Sequence, residues 1–471
     1  MKIAFIAMSG VRVRSTELQA LGVSLPGFVE RGKVIASLPS LGLLTLAACS
    51  PDDVDAHYFE HGDVSPDELE ARGFDTVALS TFTAQAPEAY EYADLCRERG
   101  LRVVLGGLHV TVRPHEALHH ADHVVIGEGE LIWPEFLTDL AKGKARALYD
   151  GRARVVPLDA VPCPRYDLLD PERYNRITIQ TTRSCPHRCT FCASGILLRG
   201  PYRKKPVELV QRDLDAIAAI WPRPFIELAD DNTFVDKAWS KQLVKSFIPY
   251  RMRWFTETDV TVADDPELLG LLRESGCRQV LIGLEDVDVG AVSELEARPF
   301  KAKRVAGYAA AIERIQSSGI SVNGCFILGA DHQTPQHFKR IVEFADRVGL
   351  AEVQVTVLTP FPGTPLHQRL RKEGRLLADA DWGSYTLFDV NYTPAQMTVR
   401  ELEEGLMDLF RRLYEPEKVR ERQRRFHSQA RAGARARRRA RPAQKRAAGT
   451  PRTRTNKAQQ DQLAASTLST E

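Results

Sequence analysis

The sequence predicts an α/β protein of two parallel units, an N-terminal doubly wound (Rossmann-like) domain followed by a (βα)6 partial TIM barrel. Three observations predict it. Short apolar runs alternate with amphipathic stretches in residues 1–140 and again in residues 176–375. Strands separated by helices in this way pair in parallel, each helix carrying the chain back across the sheet. A proline-rich stretch, "VVPLDAVPCPRYDLLDPERY", divides the two series and marks 141–175 as a linker. The second series counts six units, fewer than a closed barrel requires.

In the first series "KIAFIAM", "VDAHYFE", "FDTVALSTF", "RVVLGGLHV" and "HVVIGEGE" read as strands, and "SLGLLTLAACS" and "APEAYEYADLCRERG" as helices. Doubly wound sheets bind ligands beyond the carboxyl ends of their strands, at the switch point. The residues falling there are Ser80, Thr81 and Thr83, Gly106, Gly107 and His109, and Gly127 with Glu128. Small and hydroxylic residues let a backbone approach a large ligand, although the glycines would serve equally in tight βα turns.

In the second series the strands are "RITIQTT", "PFIELAD", "RWFTET", "RQVLIGLED", "ISVNGCFILG" and "EVQVTVLTP", with helical patterns between them that often end on glycine. Asp230, Asp231, Glu257 and Glu285 fall at strand ends, where clustered acids repel one another unless a cation arrives. Helix capping is the simpler account of Asp264 and Asp265 before "PELLGLL". Residues 376–417 form a cap ending in one amphipathic helix.

Charge divides the chain. Lys418 to Lys457 holds sixteen basic residues and one acid, leaving residues 1–417 with 48 basic and 59 acidic residues. The basic tail, 418–471, is low in complexity and expected to be disordered. It could touch RNA or another polyanion, but a solvated extension is the commoner meaning of such a run, and the acidic body argues against a nucleic-acid-binding protein. No apolar run is long enough to span a membrane, and the N-terminal one is too short for a signal sequence, so the cytoplasm is the expected compartment.

Three of the eight cysteines stand together in "RSCPHRCTFCAS", at Cys185, Cys189 and Cys192. The other five are scattered, as packed thiols are in a reducing compartment. Three thiolates this close ask for a metal. Structural zinc would need a fourth ligand, His187 or Cys163. A cubane iron–sulfur cluster held by three cysteines would keep one iron open to a substrate.

The spacing Cys185-x3-Cys189-x2-Cys192, with Phe191 before the third cysteine and the first barrel strand before the loop, resembles the radical S-adenosylmethionine (SAM) superfamily. "GGLHVTVRPHEALHHADHVVIGEGE", "VPCPRYDLL", "IELADDNTF", "LIGLED" and "LTPFPGTPL" resemble its B12-binding branch, a likeness covering roughly residues 1–415. The resemblance implies a [4Fe-4S] cluster on Cys185, Cys189 and Cys192, and SAM contacts from Phe191, Asp230, Asp231, Glu257 and Glu285. It implies cobalamin beside Ser80, Thr81, Thr83, Gly106, Gly107, His109, Gly127 and Glu128. It also implies reductive cleavage of SAM, methylation or rearrangement of an unactivated carbon in a small molecule, and an external electron donor such as flavodoxin or ferredoxin. The Asp-x-His-x-x-Gly signature that gives some of these enzymes an axial histidine is absent, and "AMSGVRVRS" stands in its place.

Overall fold

The computed structural model describes residues 1–20 except 9, 11 and 14, then 38–198, 200–377 and 381–447. Six parallel strands form the first sheet: β1 (Lys2–Ala7), β2 (Asp55–Glu60), β3 (Thr76–Ser80), β4 (Arg102–Gly106), β5 (His123–Ile126) and β6 (Leu148–Asp150), in spatial order β2-β1-β3-β4-β5-β6. The order reverses at β1, so the switch point opens beside the carboxyl ends of β1 and β3. Both faces are covered. Alternation along β1 sends Ile3 and Phe5 to a core with Leu43, Trp133 and Phe136, and Ala4 and Ile6 to one with Val77, Tyr92 and Leu105.

The barrel sheet begins with β7 (Ile177–Ile179). A short antiparallel hairpin, β8 (Thr182–Arg183) and β9 (Arg203–Lys204), follows it. The sheet then continues through β10 (Phe225–Leu228), β11 (Arg253–Thr258), β12 (Cys277–Glu285), β13 (Ser321–Leu328) and β14 (Glu352–Val357). The six barrel strands pair in parallel, in the order β14-β13-β12-β11-β10-β7, an open array. Helices Val207–Ile220, Lys237–Phe247, Pro266–Glu274, Tyr308–Ser317 and Gln336–Val348 lie at the expected places. Asp265 caps the third of these, accepting from the Leu268 N–H at 3.0 Å.

Three expectations need correction. The stretch 141–175 is more than a linker. It supplies β6 to the first sheet, and its Tyr166, Leu169 and Tyr174 belong to the barrel core, with Tyr166 Oη donating to the Thr178 carbonyl at 3.0 Å. The strand expected over "RVVLGGLHV" stops at Gly106, because Gly107 takes φ +99° and starts the helix Leu108–Val112. The basic tail is helical from Pro416 to Ala447. Alanine and arginine are strong helix formers, and this helix has a face to pack: Arg422 is buried against Asp346 and the Leu413 carbonyl, and Gln429 accepts from Gln316 at 2.8 Å. Residues 448–471 lie outside the described residues. The cap helix Val399–Leu413 forms as expected, and Trp382 and Tyr385 of the cap join the core of the first domain.

Candidate active site

The two sheets and the cap enclose one cavity of about 890 Å³. Ser80, Thr81, Thr83, Gly106, Gly107 and Gly127 reach it from the first sheet, Arg183, Ser194, Asp231 and Glu257 from the barrel, and Phe361, Tyr385 and Leu387 from beyond β14. Its walls are otherwise largely apolar, with Met8, Leu41, Leu197 and Leu198, and with Phe82, 63% exposed.

On the first-sheet side the glycines answer to the fold. A Cβ on Gly107 would lie 2.7 Å from the Thr81 nitrogen, and one on Gly127 2.8 Å from the Gly151 carbonyl carbon. The hydroxyls are more telling. Thr83 Oγ1 is buried and has no hydrogen-bond partner, an orphan group of the kind a bound ligand satisfies. Two residues expected here are used differently. His109 is fully buried away from the cavity, 3.2 Å from Glu116 and edge-on to Trp382. Glu128 lines the cavity, but its carboxylate is taken by Arg203 and by the Val156 N–H at 2.9 Å.

The cysteine loop leaves β8 through Ser184, a non-glycine residue at φ +71° whose hydroxyl donates to the Leu198 carbonyl at 2.8 Å. Thr190 N donates to the Leu295 carbonyl at 2.9 Å, Ala297 N to that of Arg188 at 3.0 Å, and Leu366 N to that of Thr190 at 3.0 Å. The loop is thus clamped from two sides. Burial raises all three thiols; Cys185 and Cys192 add to the rise at Cys189, and Cys185 to that at Cys192, so the sulfurs lie close together. All eight cysteines are free thiols.

The donor set fits a cubane better than zinc. Of the two proposed fourth ligands, His187 is held by Asp259 at 3.1 Å and packed on Phe300, while Cys163 sits beside Asp213 and Arg212. Among the described residues no three His, Cys, Asp or Glu side chains converge as one zinc ion requires. A cubane puts each thiolate on a different iron, so its ligands need not converge.

Behind the loop stands a hydrogen-bond network absent from the sequence reading. Asn232, 2% exposed, donates to Asp259 at 2.9 Å and directs the same amide toward Cys185 Sγ at 4.0 Å. Burial pushes the Asp259 carboxyl up, but hydrogen bonds from His187, Thr261 and Asn232 outweigh it and hold it well below the usual range. Lys301 is the second missed residue. Burial favours its neutral form, but the ion pair with Glu285 and the field of Cys189 keep it protonated. The register shift between Gly283 and Glu285 and φ +63° at Glu285 turn that carboxylate toward Lys301. Asn232 lies within "IELADDNTF", but only proximity in space shows what it does, and Lys301 carried no motif.

The strand-end acids divide accordingly. Asp231 and Glu257 face the cavity. Burial raises the Asp231 carboxyl, and its Oδ2 is buried without a partner. Glu257 is open to the cavity but deep in the protein; burial and the neighbouring carboxylates Glu227, Asp231 and Asp230 push it up to about 8. Asp230 takes another place from the one expected. It accepts from Thr181 N at 2.7 Å, Thr182 N at 2.9 Å and the hydroxyls of Thr181 and Thr233, and so ties β10 to the start of the cysteine loop. Glu285 is closed off by Lys301, and Phe191 packs against the barrel core. Gly329 meets Tyr392, whose hydroxyl donates to its carbonyl at 2.7 Å, and so seats the cap.

Comparison with known proteins agrees with this arrangement. Residues 179–345 match the radical SAM superfamily, residues 31–137 the B12 binding domain, and residues 364–459 a domain of unknown function (DUF4070). The chain is 25% identical over 403 residues to bacteriochlorophyllide d C-12(1)-methyltransferase of Chlorobaculum tepidum, covering 84% of this chain and 86% of that one. It is 25% identical over 357 residues to the hopanoid C-2 methylase of Rhodopseudomonas palustris, covering 74% and 67%. The solved radical SAM methyltransferase TsrM of Kitasatospora setae, with cobalamin and a [4Fe-4S] cluster bound, shares the fold at a TM-score of 0.62 and 15% identity, over 79% of this chain and 78% of that one. A cluster-binding loop on an open parallel barrel defines a radical SAM enzyme. With its N-terminal domain, the chain belongs to the B12-binding branch of that superfamily, and its cofactors are a [4Fe-4S] cluster, SAM and cobalamin.

Proposed function

We propose that this enzyme transfers a methyl group to an unactivated carbon of a largely apolar small molecule. The observation that carries the reading is the single cavity, walled at once by Thr83 and Gly107 of the first domain, by Arg183 and Ser194 flanking the cysteine loop, and by Asp231 and Glu257. On this reading the sites for both cofactors open on one chamber, as transfer between them requires.

When bound, the cluster supplies the electron that splits the sulfonium bond of SAM, and cobalamin serves as methyl carrier. Cys185, Cys189 and Cys192 hold three irons, and Asn232 and Lys301 set the electrostatics around the sulfurs. Asp231 Oδ2, lacking a partner, receives the ammonium group of SAM, and Glu257 its remaining polar groups. Ser80, Thr81 and Thr83, with Gly106, Gly107 and Gly127, form the cobalamin face. Phe82, Phe361 and Leu387 exclude water and favour an apolar substrate, in keeping with the bacteriochlorophyllide and hopanoid named for two relatives. Flavodoxin or ferredoxin in the cytoplasm reduces the cluster.

The test is anaerobic reconstitution with iron, sulfide and cobalamin, followed by SAM and dithionite. Formation of 5′-deoxyadenosine together with S-adenosylhomocysteine is expected. A protein that takes up four irons yet yields neither product would end this reading.

A further inference from the structure

The helix Pro416–Ala447 carries chemistry that the cavity does not use. Its packed face is specified in detail. Gln429 meets Gln316, Arg437 donates to the Ser317 carbonyl at 2.8 Å, and Gly433 lies so close to that carbonyl that a Cβ would stand 2.0 Å from it. On the opposite side, Arg420, Arg424, His427, Arg431, Arg435 and Arg438 are all exposed. Spacings of three, four and seven residues put them in one narrow stripe, roughly 27 Å long at helical rise. Among the described residues none of these five arginines has a carboxylate partner, and the acids Asp346 and Glu421 pair with Lys418 and Arg422. Unpaired like charges at this spacing weaken a helix, so the barrel contacts hold in place an array that repels itself.

We infer that this stripe is a docking face for an anionic lipid surface. A straight row on one side of a rod can lie along a plane with every guanidinium in reach of a headgroup. The stripe holds no Phe, Tyr or Trp on which a nucleic-acid base could stack, and the acidic remainder of the chain argues against a second basic surface to grip a phosphate backbone. It also holds no apolar residue to enter the acyl region, so attachment is electrostatic and reversible. No helix among the described residues is long and apolar enough to cross a membrane, and contact made this way is peripheral. The role follows from the proposed apolar substrate, which concentrates in lipid. The inference rests on that reading for its purpose, but not for its test.

The test is flotation of the full-length protein with phosphatidylcholine vesicles, with or without phosphatidylglycerol, at low and high salt. Wild type floats with anionic vesicles at low salt, stays behind with neutral ones, and is released by salt. Arg420→Gln/Arg424→Gln/Arg431→Gln/Arg435→Gln/Arg438→Gln lowers the bound fraction by about tenfold or more, while its circular dichroism stays unchanged. Equal binding to neutral vesicles, salt-insensitive binding of wild type, or displacement from vesicles by RNA at equal phosphate concentration overturns the inference. The wild-type salt series decides the matter even if the variant misfolds. Because flotation needs neither cofactor nor turnover, failure here leaves the methyl-transfer reading standing, and the reverse also holds.

Discussion

Arg203 of the barrel hairpin grips Glu128 of the first domain with both terminal guanidinium nitrogens, one of them 2.9 Å from Oε2, and its Nη1 also donates to the Val156 carbonyl at 2.6 Å. Glu128 is 6% exposed, and Arg183 stands 3.7 Å from the same carboxylate while it pairs with Glu130. The interface between the domains is therefore pinned by buried charge at the wall of the cavity. Removing one member of such a network strands the other. Glu128→Leu is expected to cost about 3 kcal/mol, read as a lower urea midpoint by circular dichroism. Glu128→Leu/Arg203→Met should recover most of the loss. Equal midpoints for both variants would mean that the pair does not couple the domains.

Asn232 offers a prediction about the cluster. An N–H directed at a ligating sulfur stabilises the more negative, reduced state and raises the reduction potential. Asn232→Leu removes that donor near Cys185 without touching a ligand. The expected result is a more negative midpoint in an EPR-monitored redox titration, at unchanged iron and sulfide content. An unaltered midpoint would show that the 4.0 Å approach does not act on the cluster.

Glu257 gives a pH dependence with a definite sign. Its carboxyl titrates near 8 in the folded protein, against an unperturbed value of 4.5. Because the folded state binds the proton more tightly than the unfolded one, stability falls as pH rises from 4.5 through 8. Glu257→Gln should abolish this slope, gaining on wild type in melting temperature at pH 9 but not at pH 4. Affinity for SAM should move the other way, strengthening as the carboxylate forms to meet a cation. Equilibrium dialysis at both ends of the range checks this, and a flat wild-type profile would remove Glu257 from the SAM site.

Much of this was legible in the sequence, and the parts that were not share a cause. The strands could be read because their apolar runs are continuous and end in turn residues, and the cysteine loop because ligand spacing is local. Asp230 and Glu285 fall at strand ends as expected, but the partners that hold their carboxylates, Thr181 and Lys301, lie 49 and 16 residues away and could not be read. Glu128 and His109 show the same limit: a carboxylate or imidazole at a switch point reads as a ligand contact, and the partners Arg203 and Glu116 are seen only in the fold. The tail was read from composition, which registers its charge but not the face formed by Arg422, Gln429 and Gly433. Asn232 and Lys301 act through contacts with Cys185, Asp259 and Glu285, which a linear sequence does not show, although "IELADDNTF" marked the place of Asn232.

The cap supplies the last prediction. Trp382 donates its indole N–H to Glu116 at 2.9 Å, lies edge-on to His109 at 5.1 Å and sits beneath Arg113 at 4.9 Å. This one side chain fastens the segment that carries Tyr385 and Leu387, both walls of the cavity, to the first domain. Trp382→Phe loses the hydrogen bond to a carboxylate and part of the ring packing, an expected cost of about 2 kcal/mol. Trp382→Ala also empties the socket, for an expected cost of about 4 kcal/mol. The two should separate in hydrogen exchange as well. The alanine variant should lose protection across 381–398 while the barrel strands keep theirs, because the barrel core does not include Trp382. If both variants leave that segment protected, Trp382 is not what holds the cap, and Tyr385 with the Tyr392–Gly329 contact suffices.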